Sequence, residues 1–310
     1  VIHLKGVSAR AARYRLSNVS LEVDAGVRSI LGKPADGAPL LLAVLAGWVR
    51  PRSGEALVLG GSPEAKRQQI AYVPLDVRLP PSLRVSETLE LAAAVRGESA
   101  VAPPRARLEV LGIAPLAERW TDSLTPAETR AVALVEAITS TARVLLLDEP
   151  LVDLDPRACA GLASSLRDRA RSGASVIIGT SSPRDALDLS DEQWVLDRGR
   201  VAITTRATDT AMLSASPKPR LRVLAQGARQ GARALLGALA SEPSFVEIEM
   251  DGDALLLAGT DAAAMAESVS RAALAAGVEL EVLRLEAPSL DQLRASTLRR
   301  TPLRAAAGAP

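Results

Sequence analysis

The chain has 310 residues and a net charge of +1, from 37 Lys and Arg against 36 Asp and Glu. That balance leaves no basic excess to displace counterions, which excludes a nucleic-acid polymer as the main partner. Aromatics make up 2% of residues, so base-stacking platforms are scarce and aliphatic side chains must build the core. The length gives room for one large α/β domain and a smaller companion.

Residues 2–8 and 18–23 alternate in polarity and predict strands. A third strand, 27–31, runs into the loop Gly32-Lys-Pro-Ala-Asp-Gly-Ala-Pro39, and an apolar helix follows over 40–48. Strand, glycine loop and helix in this order suit an anion, because successive backbone N–H groups and a helix N-terminus face it. The apolar run 40–49 is half of the roughly 20 residues that a spanning helix needs. No secretory signal is visible either, so any membrane association is expected through a partner. Short strands at 54–60 and 70–73 precede a helical block, about 86–140, in which Ser86 reads as a hydroxyl cap. Strands at 144–147, 175–180 and 193–196 then interleave with helices at 156–171 and 183–189. This predicts a mainly parallel sheet with the helical block as an inserted subdomain. The single cysteine, Cys159, excludes an intramolecular disulfide and is expected to be a buried structural thiol in a reducing cytoplasm.

A first domain is therefore expected over 1–206, and the Thr, Ser and Pro of 207–219 read as a linker. Beyond it the order is strand 220–225, helix 229–240, strands 245–250 and 254–258 around an Asp251-Gly252 hairpin, helix 261–276 and strand 278–285. This β-α-β-β-α-β order predicts a ferredoxin-like α+β domain over 220–300, with a last helix at 288–300 and a disordered tail at 301–310.

Chemistry is concentrated at residues 144–150, Val-Leu-Leu-Leu-Asp-Glu-Pro, where four aliphatic residues read as a doubly buried strand ending in two carboxylates. Ligands of open α/β sheets bind at that edge, and one carboxylate there could hold a metal while its neighbour polarises a water. With Leu151-Val-Asp-Leu-Asp-Pro156 the run resembles the Walker B motif and D-loop of ABC-transporter ATPases. Tyr72-Val-Pro, Arg52-Ser-Gly-Glu55 and Asp197-Arg-Gly-Arg200 extend the resemblance over roughly 2–205. The second domain, with Pro288-Ser-Leu-Asp-Gln-Leu293, is similar to the accessory domain of ABC-2-type exporter ATPases. The resemblance implies a P-loop NTPase-like fold, ATP and Mg²⁺ as cofactors, Asp148 as metal ligand and Glu149 as general base. It also implies a permease partner, a second ATPase subunit, and a cytoplasmic place on the inner face of the membrane.

The nucleotide positions depart from the family pattern. The phosphate loop keeps Gly32 and Gly37, but Ala38 stands in the lysine position and Pro39 in that of the metal-binding hydroxyl. Pro39 also lacks an N–H. Asp36 places a carboxylate in the loop, which at some 4 Å would repel a phosphate by about 4 kcal/mol at an effective dielectric of 20. Lys33 is expected to be solvated at the loop entrance. Leu75 replaces the glutamine that follows the Tyr-Val-Pro turn, and the signature is Leu124-Thr125-Pro126-Ala127-Glu128 in place of LSGGQ. Ser181 occupies the switch-histidine position; the one histidine is His3, in the first strand. Near residue 11, where an adenine-stacking aromatic is expected, there is alanine, with Tyr14 as a weak substitute.

For Asp148, Glu149 and Asp155 two alternatives stay open: residual contact with metal or nucleotide, or hydrogen bonds to neighbouring loops. The expected function is a degenerate ATPase subunit of an ABC-2-type exporter with weak or no ATP binding, docking its permease through the cleft near Leu75 and the helical insert. The alternatives are a working ATPase with unusual loop chemistry and a soluble interaction protein that acts through its second domain.

Overall fold

The computed structural model describes residues 1–99, 102–206, 220–227, 229–239 and 242–286. The chain divides into two compact units, Val1–Asp209 and Thr210–Pro310.

In the first unit, β1 (Ile2–Ala11) and β2 (Tyr14–Val23) form a hairpin, and β4 (Ser53–Val58) pairs on the other side of β1. The resulting antiparallel sheet has the order β2-β1-β4. A six-stranded sheet has the order β5-β6-β7-β3-β8-β9. In it β5 (Ile70–Val73), β6 (Val144–Asp148), β7 (Ser175–Thr180), β3 (Gly26–Leu31) and β8 (Glu192–Asp197) run parallel. Strand β9 (Arg200–Arg206) closes the edge antiparallel.

Every residue of β6 and β7 is buried, as continuous apolar runs covered on both faces require. On one face lies α1 (Ala38–Leu45), whose leucines and Val44 pack between the two sheets. On the other lie α5 (Pro156–Arg171) and the insert helices α2 (Val85–Arg96), α3 (Pro104–Glu109) and α4 (Pro126–Thr139), sharing one core with β5, β6 and β7. Helix α6 (Pro183–Leu189) follows β7. Pairing of Leu31 with Thr180 and of Asp148 with Gly179 brings the ends of β3, β6 and β7 to one edge of the sheet.

Three expectations change. Helix α2 starts at Val85, so Ser86 already lies in its first turn and is not the cap; instead the Arg84 N–H donates to the Glu87 carboxylate at 2.6 Å. Strand β9 extends the sheet beyond the expected set, because Arg198 (φ 46°) and Gly199 (φ 80°) make a tight hairpin out of Asp197-Arg-Gly-Arg200. Cys159 is half-buried, not buried, with its Sγ 3.7 Å from the Leu154 carbonyl.

The second unit contains β10 (Arg220–Ala225), α7 (Arg229–Leu239), β11 (Phe245–Asp251), β12 (Ala254–Gly259), α8 (Ala262–Ala276) and β13 (Leu280–Glu286). Its antiparallel sheet has the order β11-β12-β10-β13. Leu235, Leu239, Met265 and Val269 of the two helices share a core with Leu221, Val223, Leu255 and Leu257 of the sheet. The linker 207–219, the helix expected at 288–300 with its Pro288-Ser-Leu sequence, and the tail 301–310 lie outside the described residues. Among the described residues no helix is long and apolar enough to cross a membrane.

Candidate functional site

The loop after β3 starts with Gly32, whose N–H donates to the Thr180 carbonyl at 3.0 Å. It then winds into a 3-10 turn over Pro34–Asp36. The Asp36 N–H donates to the Lys33 carbonyl (2.8 Å) and the Gly37 N–H to the Pro34 carbonyl (3.2 Å). Gly37 (φ 103°) leads into α1, where Ala38 and Pro39 form the first turn. The helix therefore begins two residues earlier than expected, since proline is tolerated in a first turn where N–H groups have no intrahelical partner. Asp36 is buried: its Oδ2 accepts the Lys33 N–H (2.9 Å) and its Oδ1 the Arg198 N–H (3.1 Å). Lys33 is exposed, as expected.

Asp148 ends β6 and is buried against Gly179 of the neighbouring strand, where an added Cβ would lie 3.2 Å from the Asp148 Oδ1. Burial, then the adjacent Glu149 charge, push the Asp148 carboxyl up to about 6; Arg130 and the Leu75 backbone N–H oppose the rise. Glu149 adopts a left-handed backbone (φ 47°), and its N–H donates to the Gly179 carbonyl at 2.8 Å. Its carboxylate accepts the Ser181 N–H (2.7 Å) and the Thr180 hydroxyl (3.0 Å). The structure thus brings Gly32, Asp148, Glu149 and Ser181 together, with Glu149 bridging to the segment that carries Ser181.

Arg130 escaped the sequence reading. It is buried on α4, and its guanidinium donates to the carbonyls of Asp148 and Glu149 and, at 2.8 Å, to that of Leu75. One side chain thereby ties the strand end to the loop after β5. The available signal was its position four residues before Leu134 and seven before Ala137, on the apolar stripe of its helix. Leu75 is 48% exposed.

The residues expected as the signature, Leu124 to Glu128, form the start of a helix and its cap. Thr125 caps α4 by accepting the Glu128 N–H (3.2 Å), and the Glu128 carboxylate accepts the Thr125 N–H (2.8 Å) and pairs with Arg119. Pro126 and Ala127 fill the first turn, and Leu124 packs against the core. Asp155 caps α5, accepting the Ala158 N–H at 2.9 Å. The Tyr14 ring is covered by the Arg13 guanidinium, 5.3 Å from its centroid.

ATP and Mg²⁺ can be tested against these donors. Two loop N–H groups are spent on loop carbonyls, position 39 has none, and no ammonium stands at position 38. Among the described residues no group of three or more His, Cys, Asp and Glu side chains is placed to hold a metal ion. To a metal-bound triphosphate the loop thus offers neither an ammonium at position 38 nor a hydroxyl at position 39.

Between the sheet and the insert lies a cleft of about 470 Å³, lined among others by Trp48, Tyr72, Leu79, Leu91, Val95 and Glu136. Trp48 and Tyr72 meet edge to face, with centroids 4.9 Å apart. Trp48 is 64%, Leu91 44% and Val95 66% exposed.

The family model described as "ABC transporter" matches residues 16–152. The chain is 34% identical to the cytochrome c biogenesis ATP-binding export protein CcmA of Roseobacter denitrificans, over 65% of this chain and 89% of that protein. It belongs to the ABC transporter ATP-binding proteins. The aliphatic sulfonates import ATP-binding protein SsuB 1 of Burkholderia cenocepacia is 30% identical over 82% of this chain and 76% of that protein. The molybdate/tungstate import ATP-binding protein WtpC of Thermococcus kodakarensis is 30% identical over 65% of this chain, a match spanning 63% of that protein. A solved ATP-binding subunit of an ABC transporter superposes with a TM-score of 0.63 at 24% identity, over 69% of this chain and 93% of that one. The ATP-binding cassette MJ0796 bound to ADP and Pi gives 0.60 at 20%, over 67% and 99%. These structures show the same P-loop NTPase fold.

Proposed function

We propose that this ATP-binding subunit is a degenerate one, with weak or no ATP binding and hydrolysis, which serves as a structural or regulatory partner of a membrane permease. The observation that carries the reading is the phosphate loop, whose Asp36 and Gly37 N–H groups are bonded to the loop's own carbonyls while positions 38 and 39 carry Ala and Pro. A hydrogen bond to a charged group is worth about 1.5–3 kcal/mol, so the loss of several removes orders of magnitude in affinity. Calorimetry of the purified chain with Mg-ATP should show no binding at millimolar nucleotide; a submicromolar Kd would overturn the reading.

The permease docks in this reading at the cleft beside the insert, whose exposed Trp48, Leu91 and Val95 offer an apolar surface. The subunit pairs with a second ATPase subunit at the inner face of the membrane. The ferredoxin-like assignment of the second unit is supported by its strand order β11-β12-β10-β13. The ABC-2-type export assignment rests on that unit and on Pro288-Ser-Leu-Asp-Gln-Leu293. Relatives named for import of molybdate/tungstate and of aliphatic sulfonates weigh against export, and one named for export in cytochrome c biogenesis weighs for it.

A second reading, a working ATPase, is favoured by the position of Asp148 and Glu149 together at the end of β6. Phosphate release that disappears in Glu149→Gln would support it; release indifferent to that change would exclude it.

A further inference from the structure

The missing lysine and hydroxyl are the visible losses of the phosphate loop, yet neither accounts for its shape. That shape is held by Asp36. Both of its carboxylate oxygens are engaged, Oδ2 by the Lys33 N–H at 2.9 Å and Oδ1 by the Arg198 N–H at 3.1 Å. Its carbonyl accepts the Gly199 N–H at 2.9 Å, and the residue is only 7% exposed. One residue is therefore bonded both within its own loop and to the β8–β9 hairpin.

The hairpin is a fixed support. Gly199 (φ 80°) lies so close to β2 that a Cβ there would stand 2.2 Å from the Arg15 carbonyl, and the Ser17 N–H donates to the Gly199 carbonyl at 2.8 Å. Anchored to it, Asp36 holds the 3-10 turn in which the N–H groups of residues 36 and 37 point at carbonyls of residues 33 and 34. To present those N–H groups to an external phosphate, the turn must unwind and the carboxylate must leave both of its donors. A carboxylate also carries the charge of the group that it would have to admit.

We propose that Asp36 is an internal anion that plugs the phosphate loop, so that restoring the lysine and the hydroxyl alone does not restore phosphate binding. The plug rests on the degenerate reading above and adds to it which residue enforces the closed state. In a typical loop of this kind the turn N–H groups wrap an incoming phosphate; here the chain's own carboxylate takes the Lys33 N–H, and the turn N–H groups of residues 36 and 37 close on loop carbonyls.

The experiment compares Mg-ATP binding by calorimetry in the full chain, in Ala38→Lys/Pro39→Ser, and in Asp36→Ala/Ala38→Lys/Pro39→Ser, each checked by circular dichroism and thermal melting. The expected result is that the full chain and the double variant are silent at millimolar nucleotide, while the triple variant binds with a Kd roughly tenfold or more below the highest nucleotide concentration used. Equal affinity of double and triple variants would overturn the plug and leave the degenerate reading intact, as would a folded triple variant that binds nothing. Tight binding by the unaltered chain would overturn that reading and the plug with it. If the triple variant does not fold, Asp36→Ala alone is melted in sodium acetate and in sodium chloride at equal ionic strength. Acetate should raise its melting temperature by refilling the vacated N–H pair, and should leave that of the unaltered chain unchanged. A melt of Asp36→Ala indifferent to acetate would overturn the proposal.

Discussion

Asp148 shows how one position can be read correctly as to type and incompletely as to state. Its place after four aliphatic residues announced a carboxylate at the edge of the sheet. Burial beside Glu149, which depends on strands distant in sequence, moves its carboxyl from 3.8 to about 6. Because the folded value exceeds the unfolded one, the folded chain holds this proton more tightly. The cost of ionising Asp148 is absent below about pH 4, grows as pH rises, and is fully present above about pH 6. A shift of about two units corresponds to an upper value of roughly 3 kcal/mol. Asp148→Asn should therefore be more stable than the unaltered chain by about 1–3 kcal/mol at pH 7.5, with the advantage fading toward pH 4. Urea melts across that range measure it. An advantage independent of pH would contradict the buried, ionised Asp148 described above. Asp36 marks the limit of residue-level reading, since nothing in its neighbours Ala35 and Gly37 says that its carboxylate turns back to Lys33 and Arg198.

At the scale of elements, α4 joins three stretches that the sequence keeps apart. Thr125 and Glu128 cap its start, and one turn later Arg130 spans from the loop after β5 to the end of β6. The letters Thr-Pro-Ala-Glu carry the capping box, whose pattern is a hydroxyl residue followed three positions later by Glu. The arginine could be placed on the buried stripe, though its partners could not be named, because they are carbonyls and carry no sequence signal. Arg130→Met removes a charged donor from several buried carbonyls at once and should cost about 2–4 kcal/mol, read from the urea midpoint. Hydrogen exchange should show the backbone around Leu75 and that around Glu149 losing protection together. Loss confined to one of the two loops would show that Arg130 does not link them.

At the scale of the molecule, the cleft beside the insert joins residues from α1's exit (Trp48), β5 (Tyr72), α2 (Leu91 and Val95) and α4 (Glu136). These come together only because β5 and α4 pack on the same core. Val95 is 66% exposed, so a charge there disturbs little of the fold, and surface substitutions of this kind stay within about 0.5 kcal/mol. Val95→Glu should leave the melting temperature of the isolated chain nearly unchanged while abolishing co-purification with the proposed permease. Retained co-purification would place the docking surface elsewhere.

The sequence by itself determined the fold class of the first unit and most of its strands along the chain, because apolar runs of strand length between turn signals and helices read as strands of a mainly parallel sheet. The order of the strands within the sheet, and β9 at its edge, came from the tertiary structure. The sequence also shows that residues 38 and 39 carry no ammonium or hydroxyl and that Pro39 has no N–H, since that absence belongs to the residue type alone. Tertiary structure alone decided what the remaining groups do. Asp36 engages N–H groups 3 and 162 positions away in sequence, Glu149 engages the Ser181 N–H 32 positions away, and Arg130 closes on carbonyls 18, 19 and 55 positions away. A hydrogen bond is specific in distance and direction, and most of these partners are backbone groups that every residue possesses. Which of them meet is fixed by how the strands stack, a property of the packed chain rather than of any stretch of it.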